Sequence, residues 1–412
     1  MPKRLLFIEG NRDGTVGGSY FVLLDLVRGL DRSRYQPIIG FHQENYLIDT
    51  FKESGAEVVL FENLPPFEFE SARLNRVLRP LKRLINLRRG LFAQAQMCAR
   101  YLRDNQIDLI NLNNSMTRNH PWMLAARRAG IPCITHEMGI NSGYSRISRH
   151  FGRRLDRILC VSHAVHNFMR SHGVDFPNIQ VIHNGIDLAR YQLNETPEQL
   201  RRKHGIPDGV PIVGVVGNIR EWKGQETLVR ATALLKNKYP QLRCLLVGDC
   251  GKADLAYGER LDRVARELGV TDNVVLTGFQ RNAIDYMQLM DVVTHTSIAP
   301  EPFGIVTLEA MSLSKPLIST TIGGPAEVVV SGESGLLVDP GKPQDLADAI
   351  DRFLNDPEYA ARIGKQGYQR MATNFSMKHT VEKTMAVYAE ILRLPVQKLS
   401  SSSNHIVTAS NT

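Results

Sequence analysis

Two glutamates eight positions apart are the first residues of this sequence that could do chemistry together. In the stretch EPFGIVTLEAM, Glu301 belongs to a proline-containing turn and Glu309 lies among good helix formers. Paired carboxylates can serve glycoside hydrolysis, with one as acid and the other as base or nucleophile. A carboxylate on the helix could instead accept both hydroxyls of a cis-diol such as ribose. The N–H groups at the helix start near Gly304 lack intrahelical partners and could donate to sugar hydroxyls or phosphate.

Two turns that join a strand to a helix suit an anionic ligand. The turn GTVGGSYF contains Gly17 and Gly18, which allow close approach to the backbone. The turn VVGNIREWKG contains Arg220, which can contact phosphate through two N–H groups, and Lys223, a point charge. Alone, the first turn is weak evidence, because it is also explained as a flexible strand–helix turn. For the second turn the alternative is a solvated basic turn, and we favour the phosphate-binding interpretation. Together they argue against a glycoside hydrolase, which needs no phosphate site.

Several metal and cofactor chemistries have no support in the sequence. GTVGGSYF is not a GxGxxG fingerprint, and no acidic residue after the second strand is placed for a ribose, so a nicotinamide-dependent enzyme is disfavoured. No paired aspartates resemble a DxD motif, and we expect no required metal or cofactor. The five cysteines are scattered without CxxC spacing, which suggests neither a zinc site nor a disulfide framework and fits a reducing cytoplasm.

Short apolar runs alternate with helical stretches along the chain, which predicts βαβ units and parallel sheets. Thirteen runs are predicted as strands: 4–9, 37–41, 57–61, 108–112, 132–136, 157–162, 180–184, 211–217, 244–249, 274–279, 292–297, 316–320 and 335–338. The pattern restarts at 211 after a polar stretch, and 412 residues exceed one typical core. We therefore expect two doubly wound Rossmann-like α/β domains that face each other across a cleft, with ligands outside the carboxyl ends of the strands.

The positive charge is concentrated in the first half of the chain. Of the net +8, residues 1–190 carry 26 Lys and Arg against 17 Asp and Glu. Residues 73–89 hold seven Lys and Arg, no acid, and apolar residues at helical spacing, and 145–157 is rich in arginine. A basic amphipathic helix is typical of membrane-surface binding, although a solvated basic face is about as good an explanation. No run of eighteen apolar residues or signal peptide is recognised.

The motifs resemble those of glycosyltransferase family 4. The resemblance is carried by Glu-x7-Glu with its Phe-Gly pair, by KPLIST, GGPAEVV and VIHNGID, and by the Arg/Lys turn before Lys-Gly. Members are retaining nucleotide-sugar transferases of the GT-B fold. The resemblance implies an acceptor domain over 1–190, a nucleotide-sugar domain over 191–375, and a helix over 376–395 that packs back toward the first domain. The Ser-rich tail, 396–412, is expected to be disordered.

Residue roles follow from the resemblance position by position. It implies a ribose contact for Glu309, a donor-sugar contact for Glu301, and a catalytic-site hydrogen bond for His136, although a lone histidine at a strand end is more often structural. The catalytic residues are expected to be His136, Glu301, Arg220 and Lys223. The donor-binding residues are expected to be Gly17, Gly18, Asn218, Arg220, Lys223, Glu301, Phe303, Gly304, Ile305, Thr307 and Glu309. Family members often carry arginine where this chain has Asn218, and Arg220 is expected to substitute for it.

The expected function is transfer of a sugar, with retention, from a UDP- or GDP-sugar to a glycan or lipid-linked acceptor in cell-surface polysaccharide or glycolipid synthesis. The expected location is cytoplasmic, on the inner face of the membrane if 73–89 binds anionic lipid. A nucleotide-sugar epimerase or hydrolase of the same fold is the alternative, and a phosphorylase lacks its cofactor-lysine motif. Nucleic-acid binding is disfavoured because 73–89 has no interleaved aromatic residues for stacking.

Overall fold

A computed structural model describes residues 1–11, 16–62, 64–140, 143–252 and 254–395. The predicted tail, 396–412, lies outside the described residues, as do positions 12–15, which include the first two residues of the GTVGGSYF turn. The first domain is built on a parallel sheet of seven strands in the order β3-β2-β1-β4-β5-β6-β7. Its strands are β1 Lys3–Glu9, β2 Tyr35–Phe41, β3 Glu57–Leu60, β4 Leu109–Asn113, β5 Cys133–Glu137, β6 Arg157–Cys160 and β7 Ile179–Val181.

Helices cover both faces of this sheet, which is why its central strands are buried on both faces over most of their length. In β1, Leu5 and Phe7 join the core under the first helix, while Leu6 and Ile8 join the core on the opposite face. The helices are α1 Gly18–Gly29, α2 Ile48–Glu53, α3 Ala72–Val77, α4 Arg79–Leu87, α5 Gln94–Asp104, α6 His120–Ala129, α7 Arg146–Gly152 and α8 His163–Ser171, with a π-helix at Arg88–Ala93 between α4 and α5.

The second domain repeats the design with a six-stranded parallel sheet in the order β10-β9-β8-β11-β12-β13. Its strands are β8 Ile212–Val216, β9 Arg243–Val247, β10 Val274–Gly278, β11 Val292–Thr294, β12 Leu317–Thr320 and β13 Leu336–Val338. Its helices are α9 Pro197–Lys203, α10 Gln225–Leu235, α11 Leu255–Glu267, α12 Ala283–Leu289, α13 Ile305–Ser312, α14 Pro325–Val328, α15 Pro343–Asn355 and α16 Pro357–Asn374.

The chain crosses between the domains twice, and the two crossings run side by side. Ile186 donates its N–H to the carbonyl of Phe375 at 3.0 Å, and Met377 donates to the carbonyl of Ile186 at 2.9 Å. A Cβ on Gly185 would lie 2.2 Å from the carbonyl carbon of Ser376, so only glycine permits this approach.

The last helix, α17 Met377–Ile391, follows the second crossing and packs on α1 of the first domain. Its fully buried Tyr388 accepts a hydrogen bond from Asn111 of β4 at 2.7 Å. The first domain therefore includes both the beginning of the described chain and its last helix.

The predicted fold class is confirmed, and each of the thirteen predicted strands is present. The domain limits at 190 and 375 stay predictions.

In each sheet successive strands are added toward one edge and then toward the other. This change of direction lies at the centre of the sheet, between β1 and β4 and between β8 and β11. Ligands of such sheets bind outside the strand ends at this reversal. Among the described helices, none is long and apolar enough to cross a bilayer.

Candidate functional site

The loops after β8 and β11 meet at the reversal point of the second sheet. Lys223 Nζ lies 2.6 Å from Glu301 Oε1, so two residues predicted to share a site are in direct contact. Gly224 ends the lysine turn with φ +68°, and a Cβ there would lie 2.1 Å from the carbonyl oxygen of Thr296. This close backbone contact, which glycine alone permits, holds the lysine turn against the chain that leaves β11.

Glu301 is the centre of a buried polar cluster. Besides Lys223, its Oε1 contacts His295 Nε2 at 2.8 Å and accepts a hydrogen bond from Ser297. Burial alone would raise the pKa of Glu301, but His295 and Lys223 outweigh it and hold the pKa well below its ordinary value. Glu301 is therefore ionised at neutral pH. Its Oε2 accepts no hydrogen bond from the described residues, which leaves it available to a sugar hydroxyl.

The start of α13 presents unpaired amides beside this cluster. Gly304 has φ +77°, and a Cβ there would lie 2.6 Å from Pro325 Cγ, so the turn needs glycine for its own packing. Within the described ranges, the N–H groups of Phe303, Gly304 and Ile305 donate to no protein acceptor. Amides at a helix N-terminus point outward and suit an anion or a hydroxyl.

Glu309 is held by a residue that sequence reasoning did not single out. The Tyr191 hydroxyl donates to Glu309 Oε1 at 2.9 Å. Burial raises the pKa of Glu309, and Tyr191 and Arg190 offset part of that rise. Arg190 in turn contacts Asp25 of α1 at 3.1 Å. These contacts link the predicted ribose contact, through the first interdomain crossing, to the first domain.

Three other residues predicted to bind the donor lie near the same turns. Their side chains either contact other protein groups or are exposed to solvent. Arg220 pairs with Asp254 at 3.4 Å and is partly exposed. Asn218 is exposed. Thr307 is fully buried, and its hydroxyl donates to the carbonyl of Gly304 at 2.7 Å. Donor binding by these three residues stays a prediction.

The first domain contributes the glycine turn at its own reversal point. Gly17 precedes α1 with extended backbone, φ −115°, and no side-chain cap. Among the described residues, none lies within 4 Å of a Cβ built on Gly17 or Gly18. The fold therefore does not require glycine at either position, which is consistent with a ligand as the reason for the open space.

His136 lies at the carboxyl end of β5 and is almost completely buried. Burial lowers its pKa to about 4, so the imidazole is neutral at pH 7. The Asn111 side-chain amide, 3.3 Å away, donates to Nδ1 in its present orientation. That bond places the proton on Nε2, which would make His136 a neutral hydrogen-bond donor.

A carboxylate of the second domain caps a helix of the first. Glu327 accepts from the N–H groups of Ala164 and His163, at 2.7 and 2.9 Å, and contacts His183 Nε2 at 2.8 Å. His163, His183 and Glu327 could together ligate a metal ion. However, the positive end of α8 stabilises the carboxylate and opposes a cation there, so we interpret the group as a helix cap.

Ser162 makes a second interdomain contact beside this cap. Its hydroxyl donates to the carbonyl of Pro302 at 2.5 Å, and it accepts from Val165 at 3.0 Å as the N-cap of α8. The loop that follows Glu301 is thus tied directly to the first domain.

Sequence reasoning missed Tyr191, His295, Ser297, Ser162 and Glu327. A signal existed for two of them, because His295 and Ser297 follow β11 and parallel strand ends gather at one edge of the sheet. Tyr191 and Glu327 carry no comparable signal, since both act through contacts between distant parts of the chain.

Comparison with known proteins finds a glycosyltransferase family match in each half of the chain. Residues 197–370 match the family described as glycosyl transferases group 1, and residues 45–190 match glycosyltransferase family 4. The chain is 31% identical over 223 residues to D-inositol 3-phosphate glycosyltransferase of Corynebacterium urealyticum, covering 53% of this chain and 52% of that protein. The match thus spans about half the length of such curated relatives.

Two other similar proteins are matched over a larger share of their own length. The lipopolysaccharide core mannosyltransferase of Rhizobium meliloti is 26% identical over 60% of this chain and 69% of its own length. The crystal structure of Anabaena HepE in complex with UDP superimposes with a TM-score of 0.77 at 25% identity, covering 94% of this chain and all of that one. A second HepE structure contains UDP and glucose.

Proposed function

Since the chain belongs to the group 1 glycosyltransferases of family 4 and has their GT-B fold, we propose that it transfers a sugar from a nucleoside-diphosphate sugar to a glycan or lipid-linked acceptor, with retention at the anomeric carbon. We place this reaction in the synthesis of a cell-surface polysaccharide or glycolipid. The relative named for lipopolysaccharide core biosynthesis supports an acceptor of this general kind.

The contact between Lys223 and Glu301 is the observation that carries the proposal. It places an ammonium group, an ionised carboxylate and the unpaired amides at the start of α13 around one point at the sheet edge. A sugar diphosphate needs this combination: cationic and N–H donors for the diphosphate, and an acceptor for sugar hydroxyls. A carboxylate held by a lysine is a poor general acid, which separates the site from a glycoside hydrolase.

The donor that fits best is a UDP-sugar. The HepE complexes contain UDP, and that protein shares the fold over 94% of this chain. In our proposal the ribose hydroxyls bind Glu309, whose Oε1 is already oriented by Tyr191. The diphosphate lies at the start of α13 near Lys223 and Arg220, and Gly17 and Gly18 close over it from the first domain.

The proposed mechanism stabilises the leaving group. Negative charge develops on the diphosphate as the bond between the anomeric carbon and the phosphate oxygen breaks. Preorganised cations and amides stabilise that charge more in the transition state than in the ground state. The leaving phosphate takes the proton of the acceptor hydroxyl, which attacks from the same face. No protein nucleophile is needed. His136, neutral with its proton on Nε2, donates to the sugar or the departing phosphate.

We place the acceptor at the first domain, beside an exposed amphipathic segment. Leu74, Val77, Leu81, Leu84 and Leu87 of α3 and α4 are between 45% and 66% exposed. Seven Lys and Arg accompany them between residues 73 and 89. Such a surface suits the boundary between lipid head groups and acyl chains, so we propose attachment to the inner face of an anionic membrane.

A thermal-shift screen with UDP, GDP, ADP and their sugars tests the donor site, because a ligand that binds only the folded state raises Tm. We expect UDP and a UDP-sugar to raise Tm in the wild type and not in Glu309→Ala. The absence of a shift with any nucleotide would contradict the transferase proposal.

Vesicle flotation tests the attachment separately. Charge reversal of Arg76, Arg79, Lys82 and Arg83 should abolish flotation with anionic vesicles while leaving the nucleotide shift intact. Flotation that survives the charge reversal would exclude this segment as the anchor.

A further inference from the structure

A groove on the first domain is lined by cationic side chains of α7 and the turn after it. It encloses about 620 Å³ and is lined by Arg146, Arg149, His150, Arg153 and Arg154, with Gly173 as the remaining wall. None of these four arginines forms an ion pair with a carboxylate in the described part of the chain, where all fourteen ion pairs of lysine or arginine involve other residues. Four guanidinium groups that share a groove without counter-ions repel one another, and a bound anion would relieve this repulsion.

Three of these arginines are oriented by local contacts. Arg149 packs on the backbone of Gly173, where a Cβ would approach its guanidinium to 2.9 Å. Arg153 lies over the ring of Phe176, 5.4 Å from the centroid, and Arg154 donates to the carbonyl of His150 at 2.7 Å. An oriented guanidinium loses less side-chain entropy when it binds, and its planar fork matches phosphate oxygens.

The groove adjoins the amphipathic segment through the other side of the same helix. Ile147 of α7 lines a second cavity, of about 600 Å³, together with Leu87 and Leu91. Leu87 is one of the exposed apolar residues of α4. From α4 to α7 the surface therefore runs from exposed apolar side chains, across this cavity, to the arginine groove.

We propose that the arginine groove is a second anion-binding site, separate from the donor site, that binds phosphate groups. Its position next to an exposed apolar surface suits the phosphate of a lipid head group, and the same chemistry fits a phosphorylated sugar in solution. The site requires no transferase activity, so its test is independent of the proposed function.

Two binding measurements distinguish the sources of phosphate. The first is co-sedimentation with vesicles of phosphatidylcholine that contain 30% phosphatidylglycerol, expressed as a partition coefficient. The second is calorimetric titration with inorganic pyrophosphate. The test variant is Arg149→Gln/Arg153→Gln. The control, Arg263→Gln/Arg266→Gln, makes the same charge change on exposed arginines of α11 in the second domain. The donor site is intact in all three proteins, so differences between them report the groove.

Each arginine near an anionic surface is worth about fivefold in partitioning, so we expect the test variant to lose at least about tenfold and the control to change little. Loss confined to vesicles assigns the site to lipid head groups, and loss confined to pyrophosphate assigns it to free phosphorylated ligands. Equal behaviour of test and control variants in both measurements would overturn the proposal. If the test variant does not fold, as judged by its thermal melt, Arg146→Gln/Arg154→Gln replaces it.

Discussion

The ammonium group of Lys223 and the carboxylate of Glu301 form a largely buried ion pair, 2.6 Å apart, at the edge of the second sheet. The lysine is therefore held in place before any ligand arrives, and a diphosphate would share it with the carboxylate. Each side chain also limits what the other can do: Lys223 helps to keep Glu301 ionised, and Glu301 holds the ammonium group of Lys223 in place.

Removal of Lys223 should affect both activity and stability. Lys223→Met should lower kcat/KM by on the order of 10² to 10³, as for loss of one preorganised donor to a developing charge. It should also cost about 3 kcal/mol in the free energy of unfolding, because Glu301 is left with only part of its compensation. The control for stability alone is Arg220→Gln, whose pair with Asp254 is partly exposed and should cost less than about 1 kcal/mol when it is lost. Urea unfolding measures the change in stability, and initial rates measure the change in kcat/KM. Equal stability of the two variants would contradict the interpretation of Lys223 and Glu301 as a buried ion pair.

Alanine at Gly17 should separate ligand binding from folding. The added Cβ meets no described residue within 4 Å and the backbone is extended, so Tm should change by no more than a degree or two. If the diphosphate passes close to this turn, kcat/KM should fall by about tenfold or more. Gly304→Ala is the contrasting variant: it meets Pro325 and needs φ +77°, so it should lower Tm clearly. Full activity in Gly17→Ala would remove this turn from the donor site.

Tyr191 should act on nucleotide binding through Glu309. Tyr191→Phe removes the hydrogen bond that orients the carboxylate and should raise KM for the donor several-fold with little change in kcat. Glu309→Ala should weaken nucleotide binding by about 10- to 100-fold, as expected for loss of hydrogen bonds to a charged group. Because burial raises the pKa of Glu309, wild-type affinity should fall on acidification at a higher pH than for an ordinary glutamate. A lower KM in Tyr191→Phe would mean that the tyrosine competes with the ribose.

His136 should make stability depend on pH in a predictable direction. Its pKa is about 4 in the folded protein against 6.5 for an exposed histidine, so the unfolded chain takes up a proton between these values and the folded protein does not. Stability should therefore fall as pH drops from 6.5 to 4, with this residue contributing about 3 kcal/mol. The measurement is the difference in unfolding free energy between wild type and His136→Gln across that range. Parallel pH profiles would show that His136 is more accessible to protons than its burial indicates.

Glu327 should stabilise the contact between the domains. Glu327→Ala removes the acceptor of two N–H groups at the start of α8, which should cost about 1 to 2 kcal/mol. Small-angle scattering should detect a larger radius of gyration in the variant if the domains separate. Glu327→Gln retains one acceptor oxygen and should show a smaller effect on both quantities. An unchanged radius in Glu327→Ala would restrict the residue to a local capping role.

The sheets and the donor loops were predictable because they depend on local sequence. Apolar runs such as IVGVV mark buried strands, and glycine turns between strand and helix mark the loops at the sheet edge. Lys223 and Glu301 were assigned to one site, and the structure shows them in contact. His295, a second partner of Glu301, was missed, because a histidine after a strand has many possible neighbours. Contacts such as Tyr191 with Glu309 depend on the arrangement of the two domains, which local patterns do not encode.

The paired crossings at Ile186 and Ser376 have a mechanical consequence. Because the chain leaves the first domain and returns to it at adjacent points, the second domain is attached as a closed loop with two neighbouring anchors. Such an attachment favours rotation about one axis and resists independent twisting or sliding. A single proteolytic cleavage in either crossing would leave the other crossing intact. A force applied between the first strand and α17 would act on the first domain and would not be transmitted through the second.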